Sequence, residues 1–197
     1  SGDYWIWKHP DYSRSYLIVA DVARGDGTDF STFHVIDIVD FEQVAEFKSK
    51  LPTRDFGRIL ISAGVEWNNA LVVVENTGLG WDVVQTVLES NYPNMYFSPK
   101  SMGDITPESY ISKYDTGQTI PGFTNSVRTR PLVVSKLKES IHDKSFLFRS
   151  KRFIEELRTF IWENGKAQAL KGYNDDLCMA AGVGAFVRDV SLRFDEF

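Results

Sequence analysis

Three acidic positions stand where an ionised side chain is costly. Asp21 interrupts the β-branched apolar run Tyr16-Leu-Ile-Val-Ala-Asp-Val-Ala23, Glu75 closes the run Ala70-Leu-Val-Val-Val-Glu75, and Asp175-Asp176 precede Leu177, Met179 and Ala180. A carboxylate in such surroundings must be paired, hydrogen-bonded or bound to a cation. Taken singly, each has an ordinary explanation: Asp21 begins a turn, Glu75 pairs with a lysine, and Asp175 caps a helix at the positive end of its dipole. Taken together they suit another chemistry. Hard divalent cations such as magnesium take carboxylate oxygens from separate rigid elements. Two such ions, roughly 3.5–4 Å apart, can activate water and stabilise the leaving oxygen of a phosphodiester.

Positioning these acids requires a particular order of elements. Residues 16–23 read as a strand entering the glycine-rich turn Arg24-Gly-Asp-Gly-Thr-Asp29, and residues 30–39 and 42–50 read as two further strands. Their short connections make an antiparallel meander. After Pro52, the spacing of Phe56, Ile59, Leu60, Ala63 and Val65 predicts a helix over 55–69. The continuously apolar 70–75 predicts a buried strand with neighbours on both sides. Asn76-Thr-Gly-Leu-Gly80 then turns the chain into a helix over 81–90, and a short strand follows over 95–98. Residues 99–125, rich in Gly, Ser, Thr, Pro and Lys, read as irregular and as a candidate for substrate contact. Helices are predicted over 130–141 and 152–164, separated by Phe146-Leu-Phe148, and a last one over 175–189 has Asn174 as its candidate cap. This order predicts an α/β fold with a mixed central sheet, three antiparallel strands first, flanked by helices, with the acids at element ends.

A chain of 197 residues with 43% hydrophobic content suits a single domain over 1–197, without internal repeats or low-complexity segments. Its net charge of −5 argues against a protein that binds nucleic acid by bulk electrostatics, but not against a site that becomes positive once it holds cations. The single cysteine, Cys178, excludes an internal disulfide and a cysteine metal cluster and fits a reducing compartment. His9, His34 and His142 show no zinc spacing. No apolar run approaches the roughly 20 residues of a membrane span, and Ser1-Gly2-Asp3 does not open a signal peptide, so no membrane partner is expected. Trp5, Trp7, Trp67, Trp81 and Trp162 read as core or interface residues.

Four motifs in order carry a more specific signal: Asp21-Val-Ala-Arg-Gly-Asp-Gly-Thr-Asp-Phe-Ser-Thr, Val74-Glu75-Asn-Thr-Gly, Gly122-Phe-Thr-Asn-Ser-Val-Arg-Thr-Arg130 and Tyr173-Asn-Asp-Asp-Leu-Cys-Met-Ala180. Over nearly the whole chain they resemble the nuclease domain of large terminase subunits of tailed bacteriophages, most nearly the T-even type. The resemblance implies an RNase H-like, RuvC-type fold and a magnesium-dependent endodeoxyribonuclease that cuts concatemeric DNA as packaging begins and ends. It implies two Mg²⁺ ions, with Mn²⁺ substituting, held by Asp21, Glu75 and Asp175. Asp176 is the alternative third ligand, Asp29 a further acid, and Asp26 a solvent-facing residue at the turn tip. The implied partners are double-stranded DNA, the ATPase motor of the same full-length protein, the portal and the small terminase subunit, in the host cytoplasm rather than the mature virion. No Gly-x-x-x-x-Gly-Lys-Ser/Thr pattern occurs, so the chain is expected to be the nuclease domain without that motor. Arg128, Arg130, Lys136, Lys100 and Lys113 are candidate phosphate contacts, with a solvated face as the alternative.

Three other readings remain at this point. A resolvase or transposase of the same fold needs a dimer surface or an added target-binding domain. A sugar-kinase-like phosphate loop at 21–28 needs a second glycine-rich turn. A non-catalytic DNA- or portal-docking module has to explain acids that repel phosphate.

Overall fold

The computed structural model describes residues 2–23, 27, 29–100, 119–163 and 165–192. Strands β1 (Tyr4–Ile6), β2 (Tyr16–Asp21), β3 (Ser31–Asp37), β4 (Glu42–Ser49) and β5 (Leu71–Val74) form one sheet in the order β1-β4-β3-β2-β5. The pairs β1–β4, β4–β3 and β3–β2 are antiparallel and β2–β5 is parallel, so the sheet is mixed, as the sequence predicts. A parallel neighbour needs a crossover, which helix α1 (Thr53–Glu66) supplies.

Side chains alternate across the strands, and both faces are covered, which explains why β2 is apolar throughout. Ile18, Ala20, Val72 and Val74 pack with Phe56, Leu60 and Trp67 of the α1 region and with Val83 and Val84 of α2 (Gly80–Glu89). Leu17, Val19 and Val73 pack on the opposite face with Val133 and Leu137 of α3 (Thr129–His142), Phe153 of α4 (Lys151–Thr159) and Leu177 to Val187 of α5 (Asp176–Leu192). Helix α5 lies unusually close to the sheet because it carries glycine where it crosses. A Cβ at Gly184 would come within 2.8 Å of Ile36 Cδ1 and 3.2 Å of Val19 Cγ2. No helix among the described residues is long and apolar enough to cross a membrane.

Beyond β5 the sheet is continued by two short pieces. Tyr96 N donates to Val72 O (2.9 Å), and further along the same edge Phe123 N donates to Val74 O (2.7 Å). Strands β6 (Phe97–Pro99) and β7 (Thr119–Pro121) pair here, so part of the stretch expected to be irregular is a strand. Its three residues carry no periodicity, and only the distant partner defines it.

Two further differences have physical causes. The helix expected over 152–164 ends at Thr159, and β8 (Phe160–Glu163) and β9 (Lys166–Ala169) form a hairpin instead. Phe160-Ile-Trp162 are strand formers, and Gly165 at φ +76° supplies the left-handed turn. The last helix starts one residue later than expected. Asp175, rather than Asn174, takes the cap position, its carbonyl accepting from Met179 N (2.8 Å).

Candidate metal centre

In the parallel pair of β2 and β5, Ala20 lies beside Val74 and Glu75 N donates to Ala20 O (3.3 Å). Asp21 and Glu75 are therefore side by side at the carboxyl ends of adjacent strands. By alternation Asp21 shares the face of Leu17 and Val19, and Glu75 that of Val73, so both acids project toward α5. The start of α5 brings Asp175 and Asp176 to the same end of the sheet. Burial, with the negative charges of Glu75, Asp176 and Asp175, holds the Asp21 carboxyl well above the usual carboxylate range.

Each of the other acids is engaged by a protein donor. Glu75 accepts from Thr77 Oγ1 (2.7 Å) and Asn125 Nδ2 (3.2 Å). Asp175 Oδ2 accepts from Arg130 Nη2 (3.3 Å). Asp176 Oδ2 accepts from Phe30 N (3.3 Å), and burial, reinforced by the charge of Glu156, pushes its pKa up to about 7. The adjacent acids thus look in different directions, Asp175 toward α3 and Asp176 toward the start of β3, where the charge of Asp29 is also felt. At Asp21 the charge of Asp176 weighs more than that of Asp175. Among the described residues, no three carboxylate, histidine or cysteine groups are already drawn into one coordination shell.

The donor set nevertheless fits a hard dication. It consists of carboxylate oxygens from two strands and a helix, and the mutual repulsion that raises Asp21 is what a divalent cation relieves. Softer donors are occupied elsewhere. His34 is buried with Nε2 2.9 Å from Leu177 O, and Cys178 is buried with its thiol pushed far up by desolvation.

Several supporting residues lie outside the sequence prediction. Glu156 of α4 accepts from Leu177 N (2.8 Å) and Cys178 N (3.3 Å), satisfying amides that the first turn of α5 leaves unpaired, and Lys48 pairs with it at 2.5 Å. The available signal was an acid three residues from Phe153 on an amphipathic helix. Beneath it, Gln43 Nε2 donates to His34 Nδ1 (2.7 Å) and Glu46 Oε2 (3.1 Å), while its Oε1 accepts from Arg149 N (2.8 Å) and Ser150 N (2.9 Å). With Nδ1 accepting, the imidazole proton sits on Nε2, where it is donated to Leu177 O. Burial lowers the pKa of His34, against the neighbouring Glu46 carboxylate, which raises it.

The candidate phosphate contacts fall into distinct settings. Arg128 is exposed at the cap position of α3. Arg130 is turned inward against Asp175. Lys136 pairs with Asp189 (2.6 Å) and Glu139 (3.3 Å). Lys100 is exposed next to β6, whereas Lys113 and Asp26 lie outside the described residues. A cleft of about 490 Å³ beside Asp175 is lined by Arg130, Lys166, Lys171 and the exposed Tyr173. Trp67 is wholly buried, Trp5 stacks on the Arg152 guanidinium (3.9 Å), and Trp81 and Trp162 are largely exposed.

No family model matches the sequence. Among solved structures, the chain is similar to the large terminase nuclease from thermophilic phage G20c with bound magnesium, at a TM-score of 0.72 and 15% identity over 94% of this chain and 88% of that one. It is similar to the large terminase nuclease domain of Thermus phage P74-26, at 0.67 and 17% over 93% and 84%. A third similar structure is a mutant nuclease domain of the large terminase subunit of bacterial virus Sf6 with manganese and beta-thujaplicinol, at 0.58 and 14% over 91% and 90%. At such identities the likeness is one of architecture: the chain has the RNase H-like fold, with the end of the sheet that carries Asp21 and Glu75 lying against the start of α5.

Proposed function

We propose that this chain is the metal-dependent DNA endonuclease domain of a phage large terminase, of the T-even type by its motifs, cutting concatemeric DNA as packaging begins and ends. The observation that carries the proposal is the meeting of Asp21 and Glu75, at the ends of adjacent strands, with Asp175 and Asp176 at the start of α5. Similarity to nuclease structures holding magnesium and manganese supports Mg²⁺ as the cofactor, with Mn²⁺ substituting.

Two such ions, held by Asp21, Glu75 and Asp175, would activate water and stabilise the leaving 3′-oxygen of a phosphodiester. The chain's own residues prepare that chemistry. Asp21, which feels the charges of Glu75, Asp176 and Asp175, would hold metal together with them. Thr77 and Asn125 fix the Glu75 carboxylate. Glu156 fixes the first turn of α5 and so the direction of Asp175. Arg128, Lys100, Lys166 and Lys171 meet the phosphate backbone of double-stranded DNA. The sequence shows no reader helix or zinc module, so the expected sequence preference is weak. In the assembled machine the partners are the ATPase motor of the full-length protein, the portal and the small subunit, in the host cytoplasm.

Nicking of supercoiled plasmid by the purified chain tests the reading. Cleavage is expected with Mg²⁺ or Mn²⁺ and is lost in Asp21→Asn. Full cleavage in EDTA, or by that variant, would sink it. A Mn²⁺-soaked crystal decides between Asp175 and Asp176.

A further inference from the structure

The segment from β7 into α3 is built as a stiff bracket against the end of β5. Gly122 has φ +83°, and a Cβ there would lie 2.7 Å from Val74 O, so the chain presses flat against the strand. Phe123, fully buried, is held on both sides: its N–H donates to Val74 O (2.7 Å) and its carbonyl accepts from Asn76 N (2.9 Å). Asn76 Nδ2 donates to Pro121 O (2.9 Å) and Thr124 Oγ1 (3.0 Å). A tight turn follows. Ser126 N donates to Thr129 Oγ1 (2.6 Å), Thr129 Oγ1 donates to Thr124 O (3.1 Å), and Ser126 Oγ accepts from Thr129 N (3.2 Å).

From this bracket two side chains reach the acids. Asn125 Nδ2 donates to Glu75 Oε2 (3.2 Å). Arg130 Nη2 donates to Asp175 Oδ2 (3.3 Å) and to Ala167 O on β9 (2.8 Å), with the Arg130 side chain only 22% exposed. A phosphate-binding arginine needs its fork toward solvent, as exposed Arg128 is placed two residues earlier. Arg130 instead turns its guanidinium toward Asp175 and β9, with Nη2 serving both acceptors. Because a carboxylate has room for several partners, an arginine on Oδ2 leaves Oδ1 for a cation.

We infer that Asn125 and Arg130 are positioning residues that hold Glu75 and Asp175 for the metal, and that Arg130 acts through Asp175 rather than on DNA. This rests on the metal-nuclease reading above. The carbonyl of Ala167 anchors the guanidinium, so the β8–β9 hairpin is tied to the orientation of Asp175.

The test is Mn²⁺ affinity of the whole chain, without DNA, by calorimetry or electron paramagnetic resonance, for the wild type, Asn125→Ala and Arg130→Lys. Both substitutions preserve net charge, so a change in affinity reports geometry and not the local field. Both bonds come from Nη2, and the shorter lysine stem with its strongly hydrated, freely rotating ammonium does not hold that position between Ala167 O and Asp175. Each variant is expected to bind Mn²⁺ about 10–100-fold more weakly, as for other groups that orient metal ligands, with a metal-free circular dichroism spectrum like the wild type's. A role confined to DNA contact leaves metal affinity untouched. Wild-type affinity in both variants therefore overturns the inference while the metal centre stands. Should Arg130→Lys not fold, Asn125→Ala alone decides. A wild-type chain that binds no Mn²⁺ instead overturns the reading on which the inference rests.

Discussion

The two faces of the central sheet are made from the same strands and do different work. On the α1–α2 face, Ile18, Ala20, Phe33, Phe47, Val72 and Val74 meet Phe56, Leu60 and Trp67 in an apolar layer. One residue out of step, the α5 face begins as core with Leu17, Val19 and Val73 and ends in Asp21 and Glu75, with His34, Gln43 and Glu46 buried nearby. Period-2 alternation therefore lets one strand serve stability and chemistry at once. The acids are tolerable because Asp21 is the last residue of β2 and Glu75 the first beyond β5, where the apolar layer gives way to the start of α5.

The strongest test of this division is Asp21→Asn. If the α5 end is a metal centre, cleavage falls by about 10³-fold or more, since the contribution of a bound cation amounts to several kcal/mol. Stability without metal should hold or rise, because the substitution removes a charge that Glu75, Asp176 and Asp175 oppose. Thermal melting with and without Mg²⁺ checks both halves: the wild type gains from the ion and the variant does not. The converse variant lies on the other face. Phe56→Ala empties a fully buried position and should cost about 3–5 kcal/mol by urea unfolding. Its Mn²⁺ affinity, measured on folded protein, should stay at the wild-type level. A large loss of metal affinity there would show that the faces are not separable.

The buried polar layer of the α5 face predicts a pH dependence that the apolar face cannot produce. Burial depresses the pKa of His34 below its ordinary 6.5, so the native state keeps the ring neutral while the unfolded chain takes up a proton. Stability from this group is thus complete above pH 6.5 and is lost as pH falls toward the native pKa. The slope can reach about 1.4 kcal/mol per pH unit. Urea unfolding at pH 7.5 and 5.5, compared between wild type and His34→Gln, should show this component in the wild type only.

The sheet was legible because its long apolar runs are readable one at a time, and the acids because each is a charge set against such a run. The hairpin of β8 and β9 was not. Phe160 and Ile161 extend the spacing of Phe153 and Leu157, so helical periodicity runs past the true end of α4, and Gly165 alone hints at the turn. Strand β1 has only three residues and takes its identity from pairing with β4 and from Trp67 Nε1 donating to the Tyr4 hydroxyl (2.7 Å). Glu156 and Lys48 were hidden because their partners are remote in sequence; 108 residues separate the two. For Asp175 and Asp176, sequence order places both at the helix start, but the direction of each depends on Arg130 and on Phe30 N.

The smallest expected effect concerns the rim of the α5 end, and it separates two arginines that sequence treats alike. Arg128 is exposed, so its interaction with DNA would be a single screened phosphate contact. Arg128→Ala should weaken duplex binding in Ca²⁺ only several-fold at moderate salt, across all sequences, and reduce the salt slope by about 1. Its Mn²⁺ affinity without DNA should match the wild type. An unchanged salt slope would remove Arg128 from the DNA path and shift the search to Lys166 and Lys171 of the adjoining cleft. A fall in metal affinity would instead mean that the turn at Ser126 and Thr129, whose hydroxyl-to-backbone bonds flank Arg128, transmits strain to Asn125 and Glu75. The rim would then belong to the centre rather than border it.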